Sequence, residues 1–291
     1  MLTESQNPAS LNLDQMSSLE IVTLMNREDR RVLEAVEQAL PQIAQAVDGI
    51  AERMRRGGRL IYIGAGTSGR LGILDAVECV PTFSVPPTKV VGIIAGGEGA
   101  IIRSVEGAED DRDGGKRDLF AANLTENDAV VGIAASGATP YVLGALEYAA
   151  SLGALTVGVA CNVPSPVVEQ AQIGIGVAVG PEVLTGSTRL KSGTAQKMVL
   201  NMLSTGAMTK LGKVYGNLMV DVQVTNNKLV ARARRIVAQL ADVSEEKAST
   251  LLDAANGSAK TAIVMAVRGV DAGEARRLLD AHSGDLRAVI G

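Results

Sequence analysis

Apolar residues recur at a helical spacing between Arg30 and Arg56, at Val32, Leu33, Val36, Leu40, Ile43, Val47, Ile50 and Met54. The stretch therefore predicts an amphipathic helix with one buried face. Pro41 lies inside it and cannot donate its amide to the preceding turn, so a kink or a split into two helices is expected there. The pattern then changes to short runs rich in Val and Ile, at Leu60–Ile63, Val90–Ile94, Ala129–Ala134, Leu155–Ala160 and Ile173–Val179. None alternates cleanly with polar residues, as strands buried on both faces do not. Most of the intervening segments are long enough for crossover helices, and right-handed crossovers predict an α/β fold, a doubly wound parallel sheet flanked by helices.

Beyond the last run, helices are expected from Ser187 or Thr188 to about Leu211 and from about Asn226 to Leu240. From Asp242 onward strand signals stop. Ala248, Leu251, Leu252, Asp253, Ala254, Gly257 and Ile263 recur 27 residues later as Ala275, Leu278, Leu279, Asp280, Ala281, Gly284 and Ile290. Two copies are too few for a solenoid and predict a small all-helical C-terminal region. That region either packs on the main domain or a partner subunit, or closes over a site. The expected organisation is an N-terminal segment and long helix (1–50), a sheet domain (51–214), a connecting segment (215–241) and the helical C-terminal domain (242–291).

Composition narrows the partners. With 291 residues, 46% of them hydrophobic, the chain can bury a real core. A formal charge of −4, without a large basic cluster, argues against nucleic acid, and aromatic residues at 2% with no Trp provide no stacking platform. No apolar run is long enough to span a bilayer and no basic-then-apolar leader opens the chain, so no membrane partner and a cytoplasmic location are expected. Cys79 and Cys161 lack the spacing of a zinc site and read as buried small hydrophobes, while His282 near the C-terminus reads as a helix-end residue. Acid–base chemistry must then rest mainly on carboxylates, Lys, Tyr or Ser.

The segment Arg59–Pro81 concentrates the candidate chemistry. Gly64, Gly66 and Gly69 allow a tight turn after a strand, and Thr67 and Ser68 open a helix whose free N–H groups suit an anion. Glu78 stands ten residues beyond Ser68, about 15 Å along that helix, where it interrupts an apolar run. Burial there would raise its pKa toward a range useful for proton transfer. A second hydroxyl loop, Ser136-Gly137-Ala138-Thr139, follows the third strand, and Thr185–Thr194, with Ser187 and Thr188, adds hydroxyls and cations. Each alone is more often a cap and turn, but together they point to a phosphorylated small molecule. The same glycines also satisfy a dinucleotide fingerprint, with Glu98 as the ribose partner, although Thr67 and Ser68 fit a phosphate better. Glu109 stands in the acidic run 106–111, which spacing alone cannot pair with Glu78.

Taken together, G-A-G-T-S-G-R-L-G, A-A-S-G-A-T-P-Y-V and T-G-S-T-R-L-K-S-G-T-A-Q-K-M-V-L-N-M-L-S-T resemble the sugar isomerase (SIS) domain of bacterial N-acetylmuramic acid 6-phosphate etherases. The resemblance extends to T-E-S-Q-N, D-A-V-E-C-V-P-T-F, V-E-G-A-E-D-D, G-N-L-M-V-D-V and the helical C-terminus, covering essentially the whole chain. Ser5 and Gln6 depart from some relatives, while Thr3, Glu4 and Asn7 match. The resemblance implies cleavage of the D-lactyl ether of N-acetylmuramic acid 6-phosphate during cell-wall sugar recycling, with Glu78 as proton donor and Glu109 as base. It implies a phosphate site built from Gly66, Thr67, Ser68, Ser136, Gly137, Thr139, Ser187 and Thr188, and no metal or other cofactor. SIS relatives assemble as dimers, and the apolar surface of 30–56 and 187–211 exceeds what one sheet face should cover, so a homodimer is expected. A sugar-phosphate-binding regulator, like the related glucokinase regulatory protein, and a sugar-phosphate isomerase remain the alternatives.

Overall fold

A computed structural model describes residues 1–224 and 226–291, and Thr225, within the 215–241 segment, lies outside the described residues. The chain forms two compact units, Met1–Ala76 with Thr88–Ser204, and Val77–Pro87 with Thr205–Gly291.

The first unit opens with three 3₁₀ turns within residues 2–15, followed by α1 (Ser18–Gln38) and α2 (Leu40–Arg55). The first helix begins before the predicted stretch because Ser17 and Glu20 form a reciprocal cap. It breaks at Ala39, which places Pro41 in the first turn of α2, where a missing amide costs nothing. Then follow β1 (Leu60–Gly64), α3 (Gly66–Phe83), β2 (Val90–Ile94), α4 (Gly99–Ile102), α5 (Arg112–Ala121), β3 (Ala129–Ile133), α6 (Pro140–Ser151), β4 (Leu155–Ala160), α7 (Pro166–Gln170), β5 (Ile173–Gly176) and α8 (Lys191–Lys210).

Among the described residues the strands form one parallel sheet in the order β2-β1-β3-β4-β5. Strands β1, β3 and β4 are buried throughout. Ile61, Ile63, Val130, Tyr141, Val142 and Leu146 share a core on the α6 face. On the other face, Tyr62 meets α3 at Gly72 and Leu155 meets α2 at Gly49. The chain leaves β1 toward β2 and later returns to β3 on the other side of β1, so the strand order reverses between β1 and β3. Ligands of such sheets bind outside the strand ends at that switch point.

Two buried ionic ties fix this layer. Asp128 accepts from the Arg59 and Thr125 amides and from the Arg59 guanidinium, joining the starts of β1 and β3. Burial pushes its carboxyl up, but these bonds and the Arg59 charge outweigh that and hold it below the usual range. The second tie is at α8. Lys191 is fully buried, with Nζ 2.8 Å from Glu28 Oε2, and Glu28 also accepts from Asn7 Nδ2 at 2.8 Å. The Lys191 and Ser192 amides both donate to the buried Glu182 carboxylate, at 3.0 and 2.9 Å. That carboxylate sets the start of α8, which is why the helix begins at Lys191 and not at Ser187 or Thr188.

The second unit contains α9 (Asn227–Ala241), α10 (Glu245–Ala254), α11 (Ala259–Arg268), α12 (Ala272–Ala281) and α13 (Leu286–Ile290). Val220, Ile236, Ala248, Ile263, Ala275 and Val289 contribute to one core. The sequence repeat is also a repeat of structure. Ser244 and Ser258 cap α10 and α11 as Asp271 and Asp285 cap α12 and α13. The left-handed turn at Asn256 and Gly257 recurs at Ser283 and Gly284. Buried Lys260 bonds to Asp221 and to the Gly212 and Gly284 carbonyls within this unit.

Burial pushes the Glu28 carboxyl up, but the Lys191 and Asn7 hydrogen bonds and the Lys191 and Arg31 charges bring it below its ordinary value. A lowered folded pKa gives stability that is present above the unfolded value, about 4.3, and is lost as pH falls through the folded value. Lys191→Met, which leaves Glu28 buried without its cation, is therefore expected to cost about 3–5 kcal/mol in urea unfolding at neutral pH. Glu28→Gln should flatten the loss of stability below about pH 4.3 relative to the parent. An unchanged unfolding midpoint for Lys191→Met would contradict the role given to this pair.

Candidate active site

At the carboxyl end of β1 the chain turns through Gly66, at φ +53°, directly into α3. Gly69 allows that helix to lie close against the sheet, because a Cβ there would fall 2.6 Å from Ile94 Cγ1 and 2.7 Å from the Gly64 carbonyl oxygen. Ser68 is buried and donates its hydroxyl to Gln196 Oε1 of α8 at 3.0 Å. A Cβ on Gly193 would lie 3.5 Å from both Thr67 Cγ2 and the Thr188 carbonyl oxygen. The third hydroxyl cluster thus folds back beside the first loop. Ser187 and Thr188, both half-buried, are held in turns by Leu184 and Gly186.

The loop after β3 lies beside the loop after β1 because the two strands are neighbours in register, Gly64 opposite Ile133. Ser136 Oγ and Thr139 Oγ1 are 3.5 Å apart, and the Ala138 amide donates to Ser136 Oγ. Gly137, at φ +73°, accommodates Ser165, whose Oγ would lie 2.3 Å from any Cβ placed there. Asn162 Nδ2 donates to the Ala135 and Ser136 carbonyls and to Thr3 Oγ1, while its Oδ1 accepts from the Thr3 amide. One buried amide thereby ties the N-terminal segment to this hydroxyl loop.

Two cavities open at the strand ends of the first unit. One, of about 340 Å³, is lined by Ala65, Gly66, Arg70, Ala95 and the Ser104–Glu109 segment, so it brings Glu109 together with the glycine loop. Arg70 fixes its wall by donating to the Ile101 and Arg103 carbonyls. The other, of about 410 Å³, is lined by Ser136, Ala138, Asn162, Ser165 and the N-terminal Met1, Leu2 and Ser5. Ser136 faces this second cavity and does not line the first.

Glu78 belongs to the second unit and is exposed in the single chain, which corrects the expected burial. On the same helix Leu74 is 53% and Val77 61% exposed, so an apolar surface flanks it. Glu109 is also exposed, in the 3₁₀ turn Ala108–Asp110. Asp75 is a half-buried carboxylate of α3. It accepts from Tyr62 Oη at 2.8 Å and Ser204 Oγ at 3.1 Å, and burial, only partly offset by these bonds, raises its pKa. Cys79 and Cys161 are buried, and burial pushes the Cys161 thiol up to about 12. His282 closes α12 at the surface. Among the described residues no helix is long and apolar enough to cross a membrane, and no group of three or more His, Cys, Asp or Glu could hold a metal ion.

Gln196, Asn162 and Asp75 escaped the sequence reading. For Gln196 a signal was available, since it shares a helical stripe with buried Val199, Leu200 and Leu203, where a polar residue needs a reason.

Known proteins match this sequence over the whole chain. The N-acetylmuramic acid 6-phosphate etherase of Serratia proteamaculans (strain 568) is 58% identical over 290 residues, covering 100% of this chain and 98% of its own. That of Salmonella agona (strain SL483) is 57% identical with the same coverage. The chain belongs to the N-acetylmuramic acid 6-phosphate etherase family. The N-terminal SIS domain of glucokinase regulatory protein matches residues 42–150, the SIS domain residues 108–206, and the C-terminal lid domain of glucokinase regulatory protein residues 216–261. Among solved structures, a phosphoheptose isomerase from Francisella tularensis superposes with a TM-score of 0.52 at 19% identity, over 67% of this chain and 100% of that one. A protein from Escherichia coli CFT073 gives 0.50 at 16% identity, over 69% of this chain and 97% of that one. At such identity these two show the fold alone.

Replacing Asn162 by Ala should free the N-terminal segment. The Thr3 amide, which donates to Asn162 Oδ1, is expected to lose its protection in hydrogen exchange, while the amides of β1 and β3 keep theirs. Unchanged Thr3 exchange would show that the segment is held by other contacts.

Proposed function

We propose that this protein cleaves the D-lactyl ether of N-acetylmuramic acid 6-phosphate, giving N-acetylglucosamine 6-phosphate and D-lactate, as a carbon–oxygen lyase of the cytoplasm. The observation that carries this reading is the 58% identity, over essentially the full length, to a protein named for that substrate. The geometry supports it through a carboxylate, Glu109, that lines the same cavity as Ala65 and Gly66 of the glycine loop.

An unactivated ether at C3 is a poor leaving group. Opening the sugar ring generates an aldehyde at C1 that acidifies the proton on C2. Glu109 removes this proton, the C3–O bond breaks, and Glu78 protonates the departing lactate. Water then adds across the C2–C3 double bond, its oxygen to C3 and a proton to C2. Two carboxyl groups with opposite tasks suffice for the proton transfers. The 6-phosphate is held by Ser68, Ser136 and Thr139 with the backbone at Gly66, Thr67 and Gly137, and Ser187 or Thr188 lies nearby. Glu78 acts once a second copy of the chain covers its exposed, apolar surroundings, in a homodimer of two-fold symmetry. The apolar residues Val199, Leu200, Leu203, Ala207 and Met208 of α8 are already buried within the chain. The surface left for the partner is therefore that of α1, α3 and their neighbours.

Glu78→Gln and Glu109→Gln should each lower D-lactate release by about 100-fold or more without loss of the fold. In deuterated water the product should carry deuterium at C2, and N-acetylmuramic acid without its phosphate should be a very poor substrate. A protein that binds the phosphorylated sugar but releases no lactate would instead be a regulator. Sedimentation should find a dimer at micromolar concentration, and a monomer there would contradict the shared site.

A further inference from the structure

Gln196 carries an unusual burden for a buried side chain. It is 1% exposed, its Oε1 accepts the Ser68 hydroxyl at 3.0 Å, and its Nε2 is buried without a hydrogen-bond partner. An orphaned amide donor inside a protein is costly and rarely kept without reason. Its neighbour Ser68 lies in the first turn of α3, in the loop to which the 6-phosphate is assigned. A serine hydroxyl has one proton, so while Ser68 donates to Oε1 it cannot donate to an anion.

Turning the amide of Gln196 through half a rotation resolves both problems. Nε2 then donates to Ser68 Oγ, and the Ser68 proton is released toward the loop. The atom left over becomes a carbonyl oxygen, which tolerates a missing partner better than an N–H does. Such a chain, amide to hydroxyl to anion, is also cooperative, because each donor polarises the next. The backbone of α8 supplies the rigidity this requires, since Glu182 holds its first two amides and Lys191 is locked to Glu28.

We infer that Gln196 is a positioning residue for phosphate recognition, turning its amide so that Ser68 donates to the 6-phosphate of the bound amino sugar. The inference rests on the proposed function and on the placement of that phosphate at the Ser68 loop. Gln196→Glu, although it keeps the size, would accept the Ser68 hydrogen bond in either orientation and repel the anion.

Steady-state kinetics with N-acetylmuramic acid 6-phosphate test this. Gln196→Met should raise KM about tenfold, the effect of losing one charge-assisted hydrogen bond, with kcat lowered less than about threefold. Ser68→Ala should raise KM similarly, and the double variant no further than Ser68→Ala alone, because Gln196 acts through Ser68. The inhibition constant for inorganic phosphate should rise in parallel. If Gln196→Met does not fold, Gln196→Glu decides the matter, with KM and the phosphate inhibition constant expected to rise by at least the same factor. A raised KM for Ser68→Ala with an unchanged one for the Gln196 variants, or effects that multiply in the double variant, would overturn the inference alone. An unchanged KM for Ser68→Ala would remove the phosphate from this loop, and the inference with it.

Discussion

The buried contact between Lys191 and Glu28 is the constraint on which the site depends. A lysine with no exposed surface survives inside a protein only if its charge is matched and its surroundings are polar enough to replace water. Here Glu28 provides the charge, Asn7 bonds the same carboxylate, and Glu182 binds the backbone at the start of α8. These contacts join residues from the N-terminal segment, from α1, from the loop after β5 and from α8. Hydrophobic packing alone would allow α8 to slide along the sheet, whereas ionic and amide contacts that must all be satisfied together fix its register. Gln196, one and a half turns along, is thereby delivered to Ser68.

The parallel sheet contributes the other half of the geometry. Its strand order leaves the ends of β1 and β3 uncovered by a direct crossover, and both hydroxyl loops start there. The loops differ in how they are made rigid. The first is pressed against the sheet by Gly69, while the second is held from beneath by Asn162, which also grips Thr3. In each, the side chains proposed to meet the phosphate are oriented by neighbours that do not touch it, as precise recognition of an anion requires. The carboxylates proposed for proton transfer are, by contrast, exposed in the single chain.

Much of this was legible in the sequence. The strands could be read from runs of Val and Ile because central strands of a parallel sheet are dry on both sides, and few other positions in a fold demand such runs. The glycine loop and the Ser136–Thr139 loop were recognisable because tight turns and helix starts have strong residue preferences. Pro41 gave the helix break for the same reason. What remained hidden were contacts between residues far apart in the chain. Nothing local to Lys191 announces that it will be buried against Glu28, and nothing local to Asn162 shows that it will hold Thr3. The start of α8 was misplaced because Ser187 and Thr188 are good caps in isolation, whereas a carboxylate nearer the N-terminus claims the helix. Glu78 interrupts an apolar helix, where burial would raise its pKa, yet it is exposed, as are Leu74 and Val77 on the same helix.

The proposed chemistry combines a firm hold on a phosphate with two carboxyl groups. Binding energy from the phosphate, remote from the bond that breaks, can fix C2 and C3 of an opened sugar against acid and base. Elimination followed by hydration has one consequence that distinguishes it from every direct hydrolysis at the lactyl carbon. The sugar loses its original C3 oxygen to lactate and acquires a new one from water. The reaction should therefore be run in ¹⁸O-labelled water and both products analysed by mass spectrometry. One solvent oxygen is expected at C3 of N-acetylglucosamine 6-phosphate and none at the C2 hydroxyl of D-lactate; label in that lactate hydroxyl with an unlabelled C3 would contradict elimination and hydration.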